Sequence, residues 1–417
     1  MTRHFDDRET RAPEARELQA FDEFRALLRH SLKRLPALDT WLGHPDPATL
    51  GDRTALASLP VLRKPDLMEM QAANPPFGGL ADVDALKGNR VFLSPGPVWE
   101  PQGLGIDPWS SARALFAAGF RSGDVIHNAL SYHMTPGGFI LDEGARALGC
   151  LVFPAGAGNT EAQVDAIARL KPSGFTGTPD YLKTILEKAD ELGQNLSSIK
   201  RALVSGGALF PSLRQYYTDR AVSVLQCYAT ADLGVIAYES TDASGAPHPG
   251  MIVNEGIIVE IVRPGTNDPV PDEEVGELVV TSLNPGYPLV RFGTGDLSAM
   301  LSGASPCGRT GPRIQGWMGR ADQRTKVKGM FVDPKQVAEV LKAHPEIARA
   351  RLVVSRSGDA DVMTLMVEPA AGAAPVAQDI EKTLSAIAKL RGSVEIAAPA
   401  SLPNDGKVIA DERDYTA

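Results

Sequence analysis

Five short segments of this 417-residue chain carry residue types suited to nucleotide, phosphate or acid–base chemistry, at intervals set by runs of β-forming residues. Ser205-Gly206-Gly207-Ala208 stands after Ala202-Leu203-Val204, and glycines there let a flat ring or a phosphate approach the backbone closely. Gln226-Cys227-Tyr228-Ala229-Thr230-Ala231-Asp232 reads as a loop after Val222–Leu225 and offers an aromatic face, a hydroxyl and a carboxylate. In Arg291-Phe292-Gly293-Thr294-Gly295-Asp296, a carboxylate is framed by glycines in what reads as a turn. Gly319-Arg320-Ala321-Asp322, followed by Lys326-Val327-Lys328-Gly329, concentrates charge, and Pro403-Asn404-Asp405-Gly406-Lys407 puts a lysine on a turn. Among the histidines, His133 is best placed for chemistry, in Ser131-Tyr132-His133-Met134-Thr135-Pro136-Gly137-Gly138, although a hydrogen-bonded loop histidine is the commoner role. Each segment alone reads better as a solvated loop. Their order is what raises them.

Other signals fail. Gly156-Ala157-Gly158 continues as Asn159-Thr160-Glu161, so the dinucleotide fingerprint lacks its third glycine, and no lysine-bearing Walker sequence occurs. Ser205 lacks the preceding glycine of a nucleophile elbow. The seven histidines show no metal-ligand pairing, and Cys150, Cys227 and Cys307 fit neither a disulfide framework nor a zinc spacing. With 42 basic and 51 acidic residues the net charge is −9, which argues against nucleic acid or an anionic membrane as partner. The charged N-terminus has no apolar signal core, and no window reaches the roughly 18 apolar residues of a membrane span, so a soluble cytoplasmic protein is expected.

The elements that must position these residues are legible as periodicity. Leu18, Phe21, Phe24, Leu27, Leu28 and Leu32 give one amphipathic helix from Glu17 to Lys33, whose stripe packs on its own domain or against a second subunit of a homodimer. Proline and glycine then punctuate the chain to about Gly105, predicting loops and short elements. From Asp124 short strands alternate with helices. One helix is expected to start at Thr160 with a Thr160/Gln163 capping box, and another at Thr178-Pro179. Such alternation predicts an α/β core with parallel strands. Strands dominate after Val235, and a small α+β unit begins near Gly319, with a helix capped by Asp333-Pro334.

The series resembles the adenylate-forming acyl-CoA synthetase superfamily, closest its phenylacetate–CoA ligase branch, from Leu59-Pro60-Val61-Leu62-Arg63-Lys64 to Lys407. Its most specific pieces are the Tyr228 segment, Gly276-Glu277-Leu278-Val279-Val280-Thr281-Ser282-Leu283, Thr294-Gly295-Asp296, and the Gly319 to Gly329 stretch. The resemblance implies an α/β fold: a large N-terminal AMP-binding domain (1–320) with parallel-rich sheets and a small mobile α+β C-terminal domain (321–417). It implies ATP, magnesium, coenzyme A and a small-molecule carboxylic acid, with an acyl-adenylate as intermediate.

Carried over by residue, Tyr228 and its neighbour Ala229 would meet adenine, with Gly206, Gly207 and Ala208 along the other side of the ring. Thr230 would hydrogen-bond the α-phosphate, Asp232 would help hold magnesium, and Asp296 would accept the ribose hydroxyls. Arg320 would contact the nucleotide, Asp322 would be the hinge, and Lys407 would bridge carboxylate and α-phosphate during adenylation. Tyr132 and His133 would line the acyl pocket.

One departure is large. Where the family has a Ser/Thr/Gly phosphate loop with a lysine, this chain reads Ser94-Pro95-Gly96-Pro97-Val98-Trp99-Glu100-Pro101-Gln102-Gly103. Three prolines each lack a donor and Glu100 adds negative charge, leaving Ser94 and Gly96 to contribute. The arginine common before Thr-Gly-Asp is replaced by Gly293. The leading expectation is an active aryl- or acyl-CoA ligase with an altered triphosphate grip. The others are a non-catalytic nucleotide- or acyl-ligand-binding relative, and an adenylating enzyme with an acceptor other than CoA.

Overall fold

The computed structural model describes residues 4–94, 96–207, 209–242, 245–321, 323, 325–327, 330–357 and 360–413. The chain divides into two compact units. Unit 1 comprises Met1–Val259, Val279–Thr294 and Met300–Trp317; unit 2 comprises Glu260–Leu278, Gly295–Ala299 and Met318–Ala417.

The first fifteen strands are β1 Leu62–Arg63, β2 Val91–Leu93, β3 Trp99–Pro101, β4 Val125–Asn128, β5 Leu151–Pro154, β6 Gly174–Gly177, β7 Arg201–Val204, β8 Ser223–Thr230, β9 Gly234–Tyr238, β10 Met251–Val253, β11 Ile257–Val262, β12 Gly276–Ser282, β13 Phe292–Ser298, β14 Met300–Leu301 and β15 Arg313–Ile314. Nine form one sheet in the order β14-β15-β10-β9-β8-β7-β6-β4-β5. Neighbours from β5 to β8 are parallel, and those from β8 to β14 antiparallel. The parallel half follows from its connections, because the helices Gly137–Ala147, Thr160–Leu170, Pro179–Glu191 and Pro211–Asp219 each return the chain for the next strand. Val164, Ile167, Leu182 and Ile185 on these helices pack with Phe175, Ala202 and Val224 of the strands, all buried. Each such side chain contributes about 1.5–3 kcal/mol by leaving water. A second sheet has the order β1-β13-β12-β11, and the chain passes between the two units inside β11, β12 and β13.

Four sequence expectations change. The helix from Thr160 starts as expected, but its N-cap is Asn159 in the left-handed region, and Gln163 makes no capping box. Instead the buried Gln163 amide pairs with His127 Nε2 at 2.7 Å and donates to the carbonyls of Gly156 and Gly158, fixing the loop after β5. Tyr228, Ala229 and Thr230 end a strand rather than forming a loop, because β8 continues into antiparallel pairing with β9. Asp296 likewise lies inside β13 and bridges Arg320. A ten-residue helix, Lys64–Ala73, interrupts the loop-rich region; Pro65 opens it and Asp66 accepts from the Arg63 N–H at 3.1 Å.

In unit 2 the strands are β16 Thr325–Val327, β17 Met330–Val332, β18 Ile347–Ser357, β19 Ala360–Pro369, β20 Ser393–Ile396 and β21 Ile409–Asp411. The four-stranded sheet β20-β19-β18-β21 buries Leu352, Val354, Leu365 and Val367 against Val337, Val340, Ile380 and Leu384 of the helices Pro334–Ala343 and Ala377–Ala388. Asp333 caps the first helix, accepting from Lys335 N at 3.1 Å, while Gln336 accepts from Asp333 N. Among the described residues no helix is long and apolar enough to cross a membrane.

Candidate active site

Because β4, β6, β7 and β8 of unit 1 are parallel, the segments that leave them emerge along one edge of the sheet, where open α/β sheets commonly bind ligands. The Ser205 hydroxyl donates to the Cys227 carbonyl at 3.0 Å, tying the Gly206-Gly207 backbone to the strand that carries Tyr228. Gly206 has φ +73°, a conformation only glycine adopts without strain, and both glycines are exposed. Tyr228 is buried at the edge, and the Thr230 hydroxyl accepts from Leu233 N at 3.3 Å in the turn into β9. Ala208 lies outside the described residues.

Tyr132 and His133 follow β4 and line a cavity of about 550 Å³ with Phe139, Asp142 and the Pro154–Ala157 loop. The Tyr132 hydroxyl accepts from Asn128 and donates to Asp142, each at 2.7 Å, and its ring meets Phe139 edge-on. Burial and the adjoining carboxylate push the Tyr132 hydroxyl upward, and burial raises the Asp142 carboxyl.

The segment that replaces the phosphate loop is the turn of the β2–β3 hairpin. Ser94 N donates to the Val98 carbonyl at 2.9 Å, and Gly96 is exposed at the turn. Lys64, opening the helix Lys64–Ala73, brings its ammonium 3.9 Å from where a Gly96 side chain would begin. The same ammonium is 3.1 Å from Asp232 Oδ2, whose side chain is 0% exposed. Glu100 on β3 is 2% exposed; burial raises its carboxyl well above the ordinary range, and the neighbouring Asp232 adds to the shift. Tyr287, also buried, is shifted upward by burial and by the same two carboxyl groups. Lys64, Glu100 and Asp232 thus form one compact cluster, in which Lys64 is the ion-pair partner of Asp232 and burial favours the neutral form of Glu100.

Magnesium does not fit this donor set. The Asp232 side chain is enclosed and ion-paired to Lys64, burial shifts the Glu100 carboxyl toward its neutral form, and among the described residues no three His, Cys, Asp or Glu side chains are placed to hold a metal ion.

In unit 2, Asp296 and Arg320 are brought together. Arg320 Nη1 donates to Asp296 Oδ1 at 2.8 Å, and backbone bonds from Leu297 N to Gly319 O and from Ala321 N to Gly295 O hold the two segments side by side. Arg320 and Lys407 line one cavity of about 330 Å³, with Gln323, Thr325 and Asp411. The exposed Lys407 side chain follows a turn in which Asp405 Oδ1 accepts both from Lys407 N at 3.0 Å and from Arg351 Nη1 at 2.6 Å. Burial alone would raise the Asp405 carboxyl; Arg351 and the Lys407 N–H outweigh it and hold it below its ordinary value. Asp322 lies outside the described residues.

Sequence reasoning gave no role to Lys64, Asp142 or Gln323. Nothing in their spacing marks them, since each meets its partners only through tertiary packing.

Residues 110–286 match the family model described as AMP-binding enzyme. The chain is 31% identical over 373 residues to the phenylacetate–coenzyme A ligase of Aromatoleum evansii, covering 83% of this chain and 82% of that protein. It is 32% identical over 337 residues to the phenylacetate–coenzyme A ligase of Thermus thermophilus, covering 78% and 74%. Among solved structures, 2-hydroxyisobutyryl-CoA ligase in the postadenylation state with 2-HIB-AMP superposes with a TM-score of 0.71 at 26% identity, covering 99% of this chain and 93% of that chain. The same ligase with 2-HIB-AMP and CoA in the thioesterification state gives a TM-score of 0.69 at 25% identity, with the same coverage. An α/β fold of this kind, with an AMP-binding match across the parallel sheet, defines an adenylate-forming protein. Within that class the chain belongs to the phenylacetate–coenzyme A ligase family of AMP-forming acid–thiol ligases.

Proposed function

We propose that this chain activates a small carboxylic acid, phenylacetate or a related aryl acid, with ATP and transfers the acyl group to coenzyme A. A carboxylate oxygen of the acid attacks the α-phosphorus, the bond to the β-phosphate oxygen breaks, and pyrophosphate leaves. The coenzyme A thiol then loses its proton, its sulfur attacks the acyl carbonyl carbon, and the carbon–oxygen bond to AMP breaks.

In this reading Tyr228 and Ala229 lie against one side of adenine and Gly206 to Ala208 against the other. Asp296 accepts the ribose hydroxyls, Arg320 contacts the nucleotide, Thr230 hydrogen-bonds the α-phosphate, and Asp322 is the hinge of a lid domain beginning near residue 321. Ser94 and Gly96 offer the hairpin turn to the outer phosphates. Magnesium is left with the nucleotide phosphates, and Asp232 stays paired with Lys64. Tyr132, His133 and Phe139 supply the aromatic and polar wall of an acyl cavity of about 550 Å³. The observation that carries the reading is the cavity shared by Arg320 and Lys407, with Asp296 paired to Arg320 at 2.8 Å. A positive charge there offsets the negative charge that develops at the α-phosphate.

The test is exchange of labelled pyrophosphate into ATP across a panel of aryl and short-chain acids. Exchange is expected with at least one aryl acid. Lys407→Ala should lower it by about 10²–10³-fold, while thioester formation from a supplied acyl-adenylate and CoA continues at the wild-type rate. Buried Glu100 at the phosphate turn favours one competing reading, a nucleotide-binding relative without turnover; AMP binding with no exchange for any acid would establish it.

A further inference from the structure

Lys407 has a long, exposed side chain, and among the described residues its ammonium makes no hydrogen bond or ion pair. Where that charge can reach is therefore set by its backbone. Leu352 N donates to the Val408 carbonyl at 2.8 Å just after it, and two side-chain bonds flank it, both from one residue. Gln323 Nε2 donates to the Gly406 carbonyl at 2.7 Å, and Gln323 Oε1 accepts from the Ile409 N–H at 2.8 Å. The orientation of the amide follows from chemistry, since a carbonyl needs a donor and an N–H needs an acceptor. Neither bond is available to a methionine of the same length.

The rest of the turn leaves it little freedom. Gly406 has φ +69°, and a side chain there would come 2.5 Å from Val275 Cγ1. Asn404 Oδ1 accepts from Val275 N at 3.3 Å, and Asp405 anchors the Lys407 N–H. Beyond Gln323, the Thr325 hydroxyl donates to Asp411 Oδ2 at 2.6 Å, so β16 and β21 are held together further along. The carbonyl before Lys407 and the N–H two residues after it are the groups that Gln323 alone secures through its side chain.

We propose that Gln323 is a positioning residue for Lys407, holding the turn so that the ammonium reaches the reacting carboxylate and α-phosphate during adenylation. This rests on the adenylation role given to Lys407 above. Gln323 touches neither acid nor nucleotide, and acts through the lysine only.

Four proteins test it: wild type, Gln323→Met, Lys407→Ala and the double variant, each assayed in both half-reactions. Gln323→Met should lower kcat for pyrophosphate exchange by about tenfold, with KM for acid and ATP within twofold of wild type and the melting temperature unchanged. Thioester formation from supplied acyl-adenylate should not change. In the Lys407→Ala background, Gln323→Met should have no further effect. Gln323→Glu keeps the bond from Ile409 and loses the one to Gly406, so it should fall between wild type and Gln323→Met, and it serves if the methionine variant unfolds. Unchanged exchange in both Gln323 variants, equal losses in the two half-reactions, or multiplicative losses in the double variant would overturn the proposal while leaving the Lys407 role intact. Full exchange by Lys407→Ala alone would overturn both.

Discussion

Glu100 offers a sharp test of the electrostatics at the phosphate turn, through Glu100→Gln. A glutamate in the unfolded chain has a pKa of about 4.3. In the native protein burial, reinforced by Asp232, raises Glu100 well above its ordinary value. Above about pH 4.3 the native state therefore holds a proton that the unfolded state has released, and stability falls as pH rises. The slope for one proton is about 1.4 kcal/mol per pH unit, so over pH 5.5–7.5 the wild type should lose about 3 kcal/mol relative to Glu100→Gln, as long as the native carboxyl stays protonated. Burying an amide in place of a carboxyl shifts the offset between the two proteins but not the slope of their difference. All four tryptophans, at 41, 99, 109 and 317, belong to unit 1, so urea unfolding followed by tryptophan fluorescence reports the unit that contains Glu100. The expected result is a stability difference that widens in favour of the glutamine variant as pH rises, with pyrophosphate exchange at pH 7 within about twofold of wild type, since a neutral group replaces a neutral group. A pH-independent difference would show that Glu100 is ionised in the native state and would refute burial as the force that keeps its proton on.

Two further outcomes bear on the charge arrangement. Lys64→Met leaves the enclosed Asp232 carboxylate without its 3.1 Å counterion and should destabilise unit 1 by about 3 kcal/mol; adding Asp232→Asn should recover most of that loss in the same urea titration. Asp296→Asn keeps the shape of the side chain but removes the charge paired with Arg320, and steady-state kinetics should show KM for ATP rising about tenfold with the melting temperature little changed.

Much of the helical and strand pattern was legible in the amino-acid sequence because it is a property of neighbours. Apolar spacing marked Phe21, Phe24 and Leu28 as one buried face, and Thr178-Pro179 and Asp333-Pro334 marked where helices begin. The order of the Tyr228, Asp296, Arg320 and Lys407 segments was likewise legible, and with it the family. Strand ends were less so. Tyr228 and Asp296 read locally as loop and turn residues because glycine, threonine and aspartate are common there, yet pairing with β9 and with Arg320 draws both into strands.

What tertiary structure alone decided is how each charged side chain is used. Arg291, in the segment that carries Asp296, is fully buried and its guanidinium donates to the carbonyls of Ala57 and Leu59. Glu100 reads as a repelling anion but is enclosed, and burial shifts its carboxyl toward the neutral form, while Lys64, far away in sequence, pairs with Asp232. Helix and strand periodicity depends on bonds between near neighbours, so a sequence states it directly. Ionisation and ion pairing depend on desolvation and on which distant groups packing brings within a few ångströms, and no local pattern encodes that.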